Sequence, residues 1–302
     1  MPLGPVGSVR YKGYGITGDP GGRPIPRFAI CNETYGELPL DAALKDIADA
    51  GYDGVELAPF TLSDDPRNLS LEDAQELGEL VRSHGLAVVG LHWLLAQTEG
   101  LHLTSPDVEV RRHTADYVGH LAELCGAMGG EVLVWGSPQQ RSFSPDENIE
   151  HVMRRAVEVL REVCDFAGRC GVTVAVEPLG PGETNFLNTA AQTIELIERV
   201  RHPNCRLHLD VKAMASETKP IIDIIRDSQA YTAHFHANDP NLRGPGQGEV
   251  DFATVAKALE ATGYDGWVSV EVFDYTPDAP TIARQSMQVL RESFSGAKQE
   301  QM

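Results

Sequence analysis

Short apolar runs alternate with amphipathic stretches along most of the chain. Eight runs have the length and composition of buried strands: residues 28–31, 54–57, 86–93, 131–135, 172–177, 205–210, 231–236 and 267–273. Apolar residues at spacings of three and four predict helices between them, for example over residues 41–50, 72–84, 153–167 and 190–200. Glycines suited to helix ends precede several of the strands: Gly51, Gly85, Gly171 and Gly263. Eight alternating strands and helices predict an α/β protein with one (β/α)8 barrel.

The two ends of the chain do not follow this repeat. Residues 1–26 are rich in Gly and Pro and show no periodicity, so we interpret them as an arm that precedes the barrel. The barrel is predicted over residues 27–296, and residues 297–302 are interpreted as a short tail. A chain of 302 residues with 42% hydrophobic composition accommodates such a barrel without a second domain.

Composition excludes several classes of function. The formal net charge of -19 and the lack of a basic stripe argue against a nucleic-acid partner. The five cysteines include no C-x-x-C pair, so neither a disulfide framework nor a thiolate zinc site is indicated. We expect no membrane association and a cytoplasmic protein, since no apolar run is long enough to span a bilayer. No G-x-G-x-x-G motif opens an early helix, which disfavours dinucleotide binding.

Four successive predicted strands end with side chains able to bind a metal ion. These are Glu177, Asp210, His236 and Glu271, spaced by about one strand–helix repeat each. The carboxyl ends of parallel barrel strands meet at one mouth, where such barrels hold their active sites. Three carboxylates and one imidazole form a mostly oxygen site that suits Mn²⁺, Mg²⁺ or Co²⁺, with Zn²⁺ as an alternative.

The motifs around these residues resemble a known family. They are V-E-P-L (176–179), H-L-D (208–210), H-F-H-A-N-D (234–239), G-P-G-Q-G (244–248) and V-E-V-F (270–273). From about residue 27 onward the chain is similar to the sugar phosphate isomerase/epimerase family, whose members have a xylose isomerase-like TIM barrel. Ketose 3-epimerases, hydroxypyruvate isomerase-like proteins and inosose-converting enzymes belong to this group.

The resemblance implies a site and a mechanism. The four strand-end residues would bind one divalent metal ion, Mn²⁺ being the first candidate. Glu177 and Glu271 would also act as the catalytic acid and base. They would remove and return a proton through a cis-enediolate held at the metal, as in a ketose 3-epimerase. The alternative is a metal-dependent lyase on a keto-sugar, keto-cyclitol or oxidised glycoside, which expels a leaving group instead of returning the proton.

Further residues are predicted to bind a small-molecule sugar or sugar derivative. The resemblance places Glu56, His92 and Glu183 near the substrate, and Gln140 and Arg141 follow the fourth strand. Their structural alternatives are a core histidine for His92, an exposed loop acid for Glu183 and an ion pair with the acidic site for Arg141.

The chain departs from the 3-epimerase pattern at two positions. A substrate-binding histidine of those enzymes is replaced by Ala213, next to Lys212, and an arginine is replaced by Leu242, next to Arg243. Lys212 and Arg243 are therefore predicted to contact substrate, and a phosphorylated, acidic or oxidised sugar or a cyclitol becomes a candidate.

Two further functions remain as alternatives. DNA-repair endonucleases share this barrel, but they need a basic face, which the net charge opposes. A non-catalytic sugar-binding barrel would be expected to lack Glu177 or Glu271, and both are present. Relatives often form dimers or tetramers, so a homo-oligomer is an open expectation.

Overall fold

The computed structural model describes residues 26–295, and the predicted arm, apart from residue 26, and the predicted tail lie outside this range. The eight strands are β1 (Arg27–Cys31), β2 (Gly54–Leu57), β3 (Ala87–Leu91), β4 (Val132–Trp135), β5 (Thr173–Val176), β6 (Cys205–Asp210), β7 (Thr232–Ala237) and β8 (Trp267–Val270). Each lies at one of the eight predicted runs. They form a closed barrel in the order β1 to β8, and every neighbouring pair is parallel.

Helices connect the strands on the outside of the barrel. They are α1 (Leu40–Ala50), α2 (Leu71–Ser83), α3 (Val108–Met128), α4 (Ile149–Arg169), α5 (Ala190–Val200), α6 (Val211–Ala215), α7 (Ile221–Ser228), α8 (Phe252–Ala261) and α9 (Ala279–Ser295). Three short 3₁₀ helices span Asn32–Tyr35, Pro59–Thr61 and Pro66–Asn68. The predicted (β/α)8 barrel is therefore confirmed.

The predicted helix ends agree with the backbone. Gly51, Gly85, Gly171 and Gly263 all have positive φ angles, between 73° and 91°, which a residue with a side chain rarely adopts. Asp251 precedes α8, and its carboxylate accepts hydrogen bonds from the main-chain N–H groups of Ala253 and Thr254. These interactions satisfy main-chain groups that a helix end would otherwise leave unpaired.

The core has two parts. The larger apolar cluster lies between the barrel and its helices. A smaller cluster is formed by strand residues whose side chains point into the barrel, including Ala29, Ala175 and Trp267. Toward the carboxyl ends of the strands, the inward positions change from apolar to polar and are occupied by residues such as His208 and His236. Apolar side chains therefore fill the barrel at the amino ends of the strands, and ionisable side chains lie at the carboxyl ends.

Within the described range, no helix combines the length and apolar character needed to cross a bilayer.

Candidate active site

The four predicted metal-binding residues come together at the mouth of the barrel. Asp210 is the last residue of β6 and His236 is the second-last residue of β7. Glu177 and Glu271 directly follow β5 and β8. All four are buried, with exposed fractions of 0% to 6%. Burying ionisable groups at this density is costly unless each charge is compensated.

Ligand atoms of these residues lie close to one another. One atom each from Glu177, Asp210 and His236, together with one from His208, are within 4.8 Å of each other. Glu271 adjoins this group, since its Oε2 lies 3.1 Å from Nδ1 of His236. Glu271 and Glu177 follow strands that are three places apart in a ring of eight, so they face the mouth from nearly opposite sides.

The carboxylates repel each other electrostatically. Burial, followed by the charges of Glu271 and Asp210, raises the pKa of Glu177 well above its usual range. Burial and the charge of Glu271 raise the pKa of Asp210 to about 6. Burial alone would raise the pKa of Glu271 too, but His236 and His92 lower it. Glu177 and Asp210 therefore retain protons to higher pH than ordinary carboxyl groups, because the nearby cations offset their negative charges only in part.

This donor set fits a divalent cation. Hard carboxylate oxygens predominate, and their mutual repulsion is the charge imbalance that such an ion relieves. His208 supports the same reading: both of its ring nitrogens are buried without a hydrogen-bond partner, and Nε2 lies 3.9 Å from Oε1 of Glu177. A buried polar atom without a partner in a protein commonly marks the place of a water or an ion.

Glu56 holds the far side of His236. Its Oε2 lies 3.1 Å from Nε2 of His236 and 2.9 Å from Nε2 of His234, and its side chain is fully buried. A carboxylate behind a metal-binding imidazole fixes the ring orientation and makes the ring a better ligand. The predicted contact between Glu56 and substrate stays a prediction, while the structure places Glu56 beneath His236.

His92 bridges two carboxylates. Its Nε2 lies 2.8 Å from Oε2 of Glu33, and its Nδ1 lies 3.2 Å from Oε1 of Glu271. Glu33 belongs to the 3₁₀ helix after β1, and the sequence analysis did not select it because it named no candidate after the first strand. The rule that polar residues at strand ends face the mouth applies equally to β1 and would have found it.

Lys212 and Glu183 form an ion pair beside Asp210. The Nζ of Lys212 lies 2.7 Å from Oε1 of Glu183 and 4.5 Å from the ring centre of Phe273. Asp210 itself is anchored, because its Oδ1 accepts the main-chain N–H of Ala213 and its Oδ2 accepts the amide N–H of Asn238. Asn238, in the H-F-H-A-N-D motif, is a site residue that sequence reasoning did not single out.

Arg243 lies in the loop after β7 and is paired with Asp274, whose Oδ2 is 2.8 Å from its Nε. Its side chain is 42% exposed. Lys212 and Arg243 therefore each have an acidic partner. Their positive charge is balanced locally rather than left free to attract an anion.

Arg141 is buried completely and donates to main-chain oxygens. Its guanidinium bonds to the carbonyls of Trp135 at 2.6 Å, Glu177 at 2.7 Å and Ser137 at 3.3 Å. These contacts hold the end of β4 against the backbone of Glu177. Gln140, its partly exposed neighbour, accepts a hydrogen bond from Leu103 through its main-chain oxygen. The proposed substrate contacts of both residues remain untested.

Aromatic rings form one wall above the site. Trp93 lies 5.7 Å, centre to centre, from both Phe60 and Phe273. Trp93 is partly exposed and has a positive φ of 51°, whereas Trp135 is wholly buried in the main core. Trp93 is therefore the tryptophan of the two that faces accessible space.

Comparisons with known proteins agree with this architecture. A family model described as a xylose isomerase-like TIM barrel matches residues 44–293. D-psicose 3-epimerase of Ruminiclostridium cellulolyticum is 28% identical over 234 residues, covering 76% of this chain and 77% of the relative. Ketose 3-epimerase of Arthrobacter globiformis is also 28% identical, covering 78% of each chain. A solved structure of L-ribulose 3-epimerase superposes with a TM-score of 0.79 at 22% identity, covering 91% of this chain and 97% of that one. The chain belongs to the xylose isomerase-like TIM barrel family and is an isomerase/epimerase enzyme.

Proposed function

We propose that this protein is a divalent-metal-dependent ketose 3-epimerase. The observation that carries the proposal is the placement of Glu177 and Glu271 on nearly opposite sides of one buried site, with Asp210 and His236 between them. Two carboxylates that face a planar intermediate from opposite sides can exchange protons with both of its faces. The curated relatives named above, both called 3-epimerases, support the same reaction.

The residues divide the work as follows. One glutamate removes the proton at C3 of a ketose, next to the carbonyl at C2, and leaves a planar enediolate. The other glutamate returns a proton to the opposite face, which inverts C3. Two separate carboxylates are needed, because one group cannot reach both faces of a carbon held in a fixed position.

We assign the metal to Glu177, Asp210, His236 and Glu271. A bound divalent ion would polarise the substrate oxygens and lower the cost of forming negative charge next to three carboxylates. Mn²⁺ is our first choice, since the donors are mainly oxygen. Glu56 orients His236, and Asn238 orients Asp210, so the set is held before any ion binds.

The surroundings favour an uncharged sugar. Lys212 is paired with Glu183, and Arg243 with Asp274, so neither brings unbalanced positive charge to the mouth. A phosphate or carboxylate on the substrate would be repelled by the surrounding glutamates. We therefore assign Lys212 and Glu183 to hydrogen bonds with sugar hydroxyls, and the face of Trp93 to packing against the sugar chain.

The test is a substrate panel with the full-length protein reloaded with Mn²⁺. Uncharged ketoses, ketose phosphates, inososes and 3-keto-glycosides would each be incubated and analysed by NMR. We expect a new C3 epimer from at least one uncharged ketose, and no turnover after chelation. Loss of water or of an aglycone would instead establish the lyase, and no conversion of any ketose would overturn the proposal.

A further inference from the structure

We propose that Glu33 is a positioning residue that acts through His92 to hold the Glu271 carboxylate in its reactive orientation. This inference rests on the proposed function, because it concerns one of the two groups that exchange the C3 proton. It assigns a role to a residue that lies outside the four-residue metal set and does not face open space.

The contacts form a continuous line. Oε2 of Glu33 lies 2.8 Å from one ring nitrogen of His92, and the other ring nitrogen lies 3.2 Å from Oε1 of Glu271. The exposed fractions of Glu33, His92 and Glu271 are 4%, 0% and 3%, so water does not compete for these contacts. A ring held at both ends cannot turn without leaving a buried polar group without a hydrogen-bond partner, which is unfavourable.

The arrangement fixes both oxygens of Glu271. Oε1 is held by His92, and Oε2 lies 3.1 Å from His236. Because His92 contacts Oε1 and the other oxygen faces Nδ1 of His236, rotation of the carboxylate plane about its last bond would break the buried contact with His92. Reactions that depend on alignment lose about 10²-fold in rate for a displacement of about 1 Å, so this restraint bears directly on proton transfer.

Glu33 is itself held on a rigid support. Next to it, Asn32 donates to Oγ1 of Thr61 at 2.8 Å and accepts from the main-chain N–H of Ala58, also at 2.8 Å. Two residues after Glu33, the Tyr35 hydroxyl donates to Asp46 at 2.9 Å. The segment after β1 is thus fastened to the loop after β2 and to α1, so the Glu33 carboxylate is a fixed point for His92.

These contacts also give His92 a role different from that expected from the sequence. Both of its ring nitrogens face carboxylates, and the side chain is fully buried. A substrate hydroxyl would have to displace Glu33 or Glu271 to reach either nitrogen. The contacts therefore point to an action of His92 on Glu271 rather than on the sugar.

The consequence is an asymmetry between the two reacting groups. The Glu33–His92 pair bonds to Glu271, whereas Glu177 follows a strand three places away on the other side of the mouth. Loss of Glu33 should therefore impair the proton transfer on one face of the sugar and leave the other face nearly unchanged. A variant that merely loosened the fold would slow both.

The experiment measures solvent deuterium entering C3 of each epimer separately, at early times, with Mn²⁺-loaded full-length protein. We expect Glu33→Gln to slow exchange by about 10- to 100-fold in the epimer whose exchange Glu271→Gln abolishes. Exchange in the other epimer should stay within about threefold of wild type, with unchanged KM and unchanged bound Mn²⁺. Glu37→Gln, the same carboxylate-to-amide change at an exposed position four residues further along the chain, serves as the control and should match wild type in both epimers.

A double variant tests whether Glu33 acts through His92. If it does, Glu33→Gln combined with His92→Asn should be no slower than His92→Asn alone, because the two changes break one line of contacts. Equal slowing of both epimers, additive effects in the double variant, or wild-type exchange in Glu33→Gln would each overturn the inference. Absence of exchange and epimerisation in the wild-type protein would instead count against the proposed function.

Discussion

Adding a single methyl group at Gly136 tests the position of the Glu177 carboxylate. It follows β4, and a Cβ built there would lie 1.5 Å from Oε2 of Glu177 and 2.8 Å from its Cδ. Non-bonded heavy atoms settle at about 3.5 Å, so Gly136→Ala forces the Glu177 carboxylate to move by about 2 Å. A displacement of about 1 Å in a reacting group costs about 10²-fold in rate, and we expect at least that loss in kcat.

The same substitution should affect stability far less. The atom it meets is the end of a side chain rather than backbone, so the cost belongs at the lower end of the ~1–3 kcal/mol typical of overpacking. Activity, bound Mn²⁺ and melting temperature should be measured together, with Gly182→Ala as the control, because a Cβ there meets nothing within 4 Å. Full activity and metal content in Gly136→Ala would refute the position assigned to Glu177.

Three further predictions concern the surrounding residues. Arg141→Met should lower both the melting temperature and kcat, because three main-chain oxygens lose their donor; a rise in KM alone would instead support a substrate contact. Metal affinity should rise with pH when it is measured by calorimetry between about pH 5 and pH 8. The pKa of Asp210 is raised to about 6 and that of Glu177 is raised as well, so protons compete with the ion at low pH. An affinity that does not change with pH would contradict this. Lys212→Met should raise KM about tenfold with bound metal unchanged, since it removes a charged donor beside Glu183, and an unchanged KM would exclude Lys212 from binding.

The barrel was predictable because its signal repeats. Each strand is a short apolar run, and each helix has a three-and-four spacing, so eight repeats constrain one another even where a single boundary is ambiguous. Boundaries shifted by a few residues, for instance where the run 86–93 yields β3 (Ala87–Leu91) and places His92 just after the strand. The four strand-end residues follow from the same regularity, since strand order alone brings them to one mouth.

The contacts around those residues were less predictable. Side-chain direction after a strand depends on loop geometry, which no periodicity encodes, so the contacts of Arg141 with the main-chain oxygens of Trp135, Ser137 and Glu177 could not be predicted. The ion pair joins Lys212 in α6 to Glu183 in the loop after β5, and it changes the charge expected at the site. For Glu33, the sequence indicates a position just after β1, but its role follows only from its contact with His92 in the structure.

The most direct test of two-sided proton transfer compares Glu177→Gln with Glu271→Gln in D₂O. Both variants would be saturated with Mn²⁺ and given each epimer of the substrate, and deuterium at C3 would be followed by NMR. We predict that each variant exchanges only one epimer, that the two variants exchange opposite epimers, and that neither interconverts them. Exchange of the same epimer by both variants, or epimerisation by either, would contradict the assignment of one glutamate to each face.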